Sequence, residues 1–157
     1  MTIVSGADDS HARSLLQFLD SARRYERRSR LVAWDLGLRA DQRKAICRLS
    51  NRIEIRTFDY SRYPAWFDIR VEAGHYAWKP VIIAQMVREA RGPVLWMDAG
   101  CKITGPLNDL YLHIVRNGFS SPSSAGTHED WTHPAVVEYL GMKPRWRRGK
   151  RNVSGGV

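Results

Sequence analysis

Apolar and polar positions along this chain fall into alternating strand-like and helix-like stretches. Thr2, Ile3 and Val4 form a short apolar run that ends in the polar turn SGADDS, after which Ala12, Leu15, Leu16 and Leu19 recur at helical spacing. Leu31, Val32, Ala33 and Trp34 read as a second strand closed by Asp35-Leu36-Gly37, and Gln42, Ala45, Ile46 and Leu49 as a second helix. A third strand over residues 53–58 alternates apolar residues with Glu54 and Arg56, the pattern of a half-exposed strand towards a sheet edge. The aromatic-rich stretch SRYPAWFDIRVEAGHYAW has no helical or strand period, so its rings are expected to pack on the core or cover a cleft. Pro80 suits a first helical turn, and Ile83, Met86, Val87 and Ala90 make an apolar stripe that stops at Gly92-Pro93. Val94, Leu95, Trp96 and Met97 are apolar on both faces, which predicts a central strand of a covered parallel sheet. Beyond it, Pro106, Leu107, Leu110, Tyr111 and Ile114 predict a short helix, residues 118–126 a Ser-rich loop or short strand, and residues 131–140 a helix.

This order predicts an α/β fold: an open, mostly parallel sheet with right-handed crossovers and helices on both faces. A length of 157 residues suits a single domain with a real core, and 43% hydrophobic residues exclude a disordered chain. In such sheets ligands collect beyond the carboxyl ends of the strands. Asp98 ends the fourth strand there, with small Ala99 and Gly100 leaving room for a phosphate or sugar, and the turn carrying Asp8 and Asp9 lies at the same end. Neither G-x-G-x-x-G nor G-x-x-x-x-G-K-[ST] occurs, which argues against dinucleotide redox chemistry and P-loop phosphoryl transfer. A carboxylate in the first turn is instead suited to accept hydrogen bonds from a base N–H or a ribose hydroxyl.

The net charge of +9 is concentrated in the basic segment 143–151, KPRWRRGKR. A second cluster, RRYERRSR, falls where the first helix should end and where cations are favourable against the helix dipole. No apolar run reaches the ~18 residues of a membrane span and MTIVSGADD lacks the pattern of a signal peptide, so a cytoplasmic location is expected. Cys47 and Cys101 signal neither a disulfide framework nor a zinc cluster. His75, His128 and His133 are too unevenly spaced to read as a metal site.

At these residues the chain resembles the GT-A glycosyltransferases, in particular the family 8 type of retaining sugar transferases. The opening IVSGADDSH resembles that family's first strand and nucleotide-binding turn, YAWKP its aromatic-x-Lys element, VLWMDAG the strand carrying its Asp-x-Asp signature, and NVSGGV an Asn-x-Gly-type element near the sugar. The pieces occur in the family's order and span almost the whole chain. The resemblance implies a nucleotide-diphosphate sugar as donor and an acceptor that it does not identify. It places Ala7, Asp8 and Ser10 at the base and ribose, Lys79 at the phosphates or the acceptor side, Asp98 at a metal and the pyrophosphate, and Asn152 and Ser154 near the donor sugar. No catalytic residue is implied. Gly100 stands where the family has its second aspartate. Manganese and magnesium take one or two carboxylates plus substrate phosphates, so a lone Asp98 leaves metal dependence open.

Plainer roles compete for the same residues. Asp98 could cap the turn after its strand, Lys79 could be a solvated lysine at a helix start, and Trp66, Trp78 and Trp131 suit packing as well as sugar stacking. The competing function is a non-catalytic module that binds nucleotide or RNA through KPRWRRGKR with Trp146 among the cations. The transferase is favoured over nucleic acid because the basic run adjoins the presumed sugar-side segment. The family's domains continue past the length of this chain, and Val153 to Val157 read as a turn entering a strand, so a truncated transferase is expected.

Overall fold

The structure, a computed structural model, describes residues 1–143 and 149–154. It forms two compact units, Met1–Gly118 and Phe119–Val157.

The first unit is built on four parallel strands. β1 (Thr2–Ala7), β2 (Arg30–Asp35), β3 (Ile53–Thr57) and β4 (Val94–Trp96) lie in the order β3-β2-β1-β4. β1 is flanked on both edges, with Ile3 opposite Leu31 on one side and Leu95 on the other. The pairing with β4 ends at Val4, where the apolar run stops, and pairing with β2 alone carries the strand on to Ala7. Ser5 and Gly6 keep their ladder bonds to neighbours, and all six residues of β1 are buried. Gly6 is required by closeness: an added Cβ would lie 3.1 Å from Trp34 Cβ.

Helices cover both faces, as the alternating pattern predicts. On one face Leu15, Phe18 and Leu19 of α1 (Ala12–Tyr25) and Ile46 of α2 (Ala40–Leu49) pack against Ile3, Ala7, Leu31, Ala33, Ile53 and Leu95. On the other, Trp78, Ile82 and Met86 of α3 (Trp78–Glu89) join Val4, Val32, Trp34 and Trp96. Fully burying a side chain such as Phe18 or Leu15 contributes about 1.5–3 kcal/mol of transfer free energy, so these two layers hold the unit together. Arg23 and Arg24 in the last turn of α1 both pair with Asp20, the solvated helix end expected of that cluster.

β4 departs from its predicted place. Its apolar faces predicted a central strand, yet among the described residues it pairs only with β1 and ends the sheet. The pattern reports burial, not pairing: Leu95 and Trp96 are each 6% exposed because the two apolar layers reach over the edge strand. The aromatic stretch is also structured, as three 3-10 turns in which Tyr63 and Phe67 stack at 4.6 Å and Phe58 and Tyr63 at 5.2 Å. Phe67 and Trp78 of this stretch pack on the core, one of the two outcomes expected of it. After β4 the chain is tied to α1, where Ile103 N–H donates to Ser21 Oγ at 3.0 Å and Leu107 N–H to Glu26 Oε1 at 2.7 Å. α4 (Asn108–Asn117) follows and closes in the left-handed Gly118.

In the second unit β5 (Ser123–Thr127) and β6 (Arg151–Val153) pair antiparallel. The helix predicted over residues 131–140 is two short ones, α5 (His128–Trp131) and α6 (Pro134–Tyr139), because Thr127 with Asp130 caps the first and Pro134 begins the second. No helix among the described residues is long and apolar enough to cross a membrane.

Candidate functional site

The strand order reverses beside β1: the chain runs outward through β2 and β3, then returns across the other face to place β4 on the opposite edge. The crevice beyond the carboxyl ends of β1 and β4 is therefore the topological switch point at which open α/β sheets bind ligands. A cleft of about 310 Å³ lies there, lined among others by Gly6, Ala7, Asp8, His11, Lys79 and Asp98. Its size is at the lower end of small-molecule sites.

One wall follows β1. Asp8 caps a 3-10 turn that leads into α1, its carboxylate accepting from His11 N–H at 3.2 Å and from Ser10 Oγ at 2.8 Å. His11 Nδ1 lies 2.8 Å from the same oxygen and donates to it, because an ionised carboxylate can only accept. Burial pushes the Asp8 carboxyl up, but the hydrogen bonds from His11 and Ser10 outweigh it and hold the group below its ordinary value. Asp8 is thus ionised and fixed in direction. Ala7 is buried at the strand end, and Ser10 orients Asp8.

The opposite wall joins the start of α3 to the end of β4. Lys79 Nζ lies 2.8 Å from Asp98 Oδ1, and Trp96 Nε1 donates to that oxygen at 2.8 Å. The Lys79 side chain is 14% exposed, Asp98 43%. The rings of Tyr76, Trp78 and Trp96 surround the ammonium, with centroids 5.6, 5.9 and 5.7 Å away, within the range of a cation–π contact. Trp78 is therefore core packing and a ring of this cage at once. Neighbouring Cys101 has its thiol pushed up by burial and then by the charge of Asp98, which makes it a poor nucleophile at neutral pH.

A strained segment forms the rim. Glu72, Ala73, Gly74, His75 and Tyr76 all have positive φ, between 45° and 60°. Such backbone costs residues other than glycine about 1–2 kcal/mol each. Trp78 Nε1 holds the turn by donating to Ala73 O at 3.0 Å, and Gly74 is pressed so close to Phe67 that an added Cβ would sit 2.3 Å from its carbonyl oxygen. The turn carries Ala73 and Tyr76 to the cleft.

Of the residues that the sequence singles out, Ala7, Asp8, Lys79 and Asp98 line this cleft. Asn152 and Ser154 belong to the second unit, where Asn152 Nδ2 donates to Ser124 Oγ at 2.8 Å and Ser154 N–H to Pro122 O at 2.8 Å. Most of the basic segment, residues 144–148 with Trp146, and residues 155–157 lie outside the described residues. His11 and Tyr76 were missed. The backbone N–H of His11 was detectable as a capping donor, since an N-cap Asp accepts from the N–H two or three positions on, but the ring of His11 was not.

A family model matches residues 1–84 of the chain, more than half of it, under the description of a protein of unknown function, DUF1647. The chain belongs to the DUF1647 family. No curated protein sequence matches this DUF1647 chain. Among solved structures it is similar to the galactosyltransferase LgtC in complex with donor and acceptor sugar analogs, with a TM-score of 0.59 and 17% identity over 99% of this chain and 56% of that one. It is also similar to an active-site mutant of LgtC, with a TM-score of 0.50 and 22% identity over 70% of this chain and 41% of that one. Core-mannan synthase A from Aspergillus fumigatus in a Mn/GDP form matches at a TM-score of 0.47 and 9% identity over 92% of this chain and 48% of that one, too slight a likeness to carry an argument. The DUF1647 chain spans about half the length of these structures. Its fold is that of the GT-A glycosyltransferases.

Proposed function

We propose that this chain binds a nucleoside-diphosphate sugar in the cleft between β1 and β4 and serves transfer of the glycosyl group to an acceptor nucleophile. One observation carries the reading: an oriented carboxylate, Asp8, on the β1 wall faces the same cleft as the Lys79–Asp98 pair on the β4 wall. A nucleotide sugar presents matching chemistry, with N–H and hydroxyl donors on base and ribose for Asp8 and an anionic diphosphate for the ammonium of Lys79. In the transfer, the anomeric carbon exchanges its bond to the diphosphate oxygen for a bond to the acceptor oxygen. The electron pair of the broken bond leaves on the diphosphate and the acceptor gives up its hydroxyl proton to water. Stabilising that departing charge is the main service a fixed cation performs.

A divalent metal, which the resemblance to family 8 transferases implies, would have to be held by Asp98. Its Oδ1 already accepts from Lys79 and Trp96, Gly100 offers no second carboxylate, and no group of three or more His, Cys, Asp or Glu converges among the described residues. These residues do not form a cation site by themselves, and no step above runs through a metal.

Thermal shift and calorimetry with UDP, GDP, ADP and CDP test the reading. One of them is expected to stabilise the protein, by about 2.7 kcal/mol at a hundred times its Kd, and Asp8→Asn to weaken that binding at least tenfold. No stabilisation by any nucleoside diphosphate sinks the proposal.

A further inference from the structure

Lys79 is hard to explain by stability alone. A cation in the first turn of a helix opposes the helix dipole, and its burial removes an ammonium from water. The fold nonetheless provides for it three aromatic faces and a carboxylate, and directs both members of the pair to the cleft. The contact with Asp98 is an ion pair rather than a metal shell.

We infer that Lys79 is the resident cation of this site, binding the diphosphate in the position where other sites of this kind of chemistry use a divalent metal, and that Asp98 is a positioning residue for it. This rests on the proposed nucleotide-sugar reading. A divalent ion on Asp98 would have to share the carboxylate that already holds the ammonium, and the two like charges would repel across a few ångströms. Gly100 completes the argument, because an added Cβ there meets nothing within 4 Å. Space for a second carboxylate exists, but the residue that would supply it does not. The start of α3 adds in the same sense as Lys79, since the positive end of its dipole and its first N–H groups favour an anion. When the glycosyl bond to the diphosphate breaks and leaves its electron pair on the diphosphate, while the acceptor oxygen forms the new bond and releases its proton to water, the ammonium is already in place.

The experiment is the wild-type protein titrated with the nucleoside diphosphate that stabilises it best, once in EDTA and once in manganese, with manganese binding to the protein alone followed by electron paramagnetic resonance. The inference expects affinities equal within about twofold in the two conditions and no manganese bound to the unliganded protein. Lys79→Met is expected to lose at least tenfold in affinity in EDTA, and Lys79→Arg to recover most of it. Affinity that appears only with manganese, or that survives Lys79→Met unchanged, overturns the inference and leaves the nucleotide-sugar reading standing. Absence of nucleoside-diphosphate binding under both conditions overturns both.

Discussion

Asp8 does two jobs with one carboxylate, and they separate experimentally. It lines the cleft, and it caps the turn into α1 by accepting the His11 N–H. The expectation from sequence, a turn carboxylate that accepts from a base or ribose, covers only the first. Asp8→Ala is accordingly expected to cost about 1 kcal/mol of stability, a drop of roughly 2–4 °C in Tm for a chain of this size. Asp8→Asn, which keeps the cap but not the charge, is expected to lower Tm less than Asp8→Ala in the absence of ligand. Scanning calorimetry of the two variants at neutral pH decides this. The depressed pKa adds a sign: the ionised form is the one the fold favours, so this contribution is present above the ordinary carboxyl range and is lost as pH falls below about 4. Lys79 and Asp98 were each legible in the sequence, but their pairing was not. They sit on different elements, and only the return of α3 and β4 to the edge of β1 brings them together.

Among the elements, regular strands and helices were read well and the strained ones were not. Apolar spacing located α1 and β2 because each buries one face or two against a neighbour. It cut β1 short at Val4, since Ser5 and Gly6 are held by pairing with β2 rather than by apolar character. The rim turn over residues 72–76 was invisible, because Glu, Ala, His and Tyr carry no signal for positive φ and only Gly74 hinted at one. That glycine has no substitute. Gly74→Ala places a methyl against the Phe67 carbonyl on top of a disfavoured φ, so a loss of at least about 1–2 kcal/mol is expected from the dihedral alone. Denaturant unfolding measures it, and an unchanged midpoint with unchanged slope would mean that the turn adopts another conformation.

At the scale of the whole molecule, the architecture of the first unit followed from the order of its elements, while the order of its strands did not. β1 to β3 lie side by side in sequence order, but β4 comes to the free edge of β1 after a crossing over the opposite face. The two walls of the cleft, at Asp8 and at Asp98, are therefore brought together by the contact of highest sequence separation in the sheet. Sequence distance is also a matter of time. Closing a long stretch of chain costs more entropy than closing a short one, so Ile3 is expected to find Leu31 before it finds Leu95. In a chevron analysis Leu31→Ala is then expected chiefly to slow folding, and Leu95→Ala chiefly to speed unfolding. The cleft would be the last part of the unit to assemble and the first to be lost. A Leu95 variant that slows folding as much as the Leu31 variant would mean instead that the β4 wall is already built at the barrier.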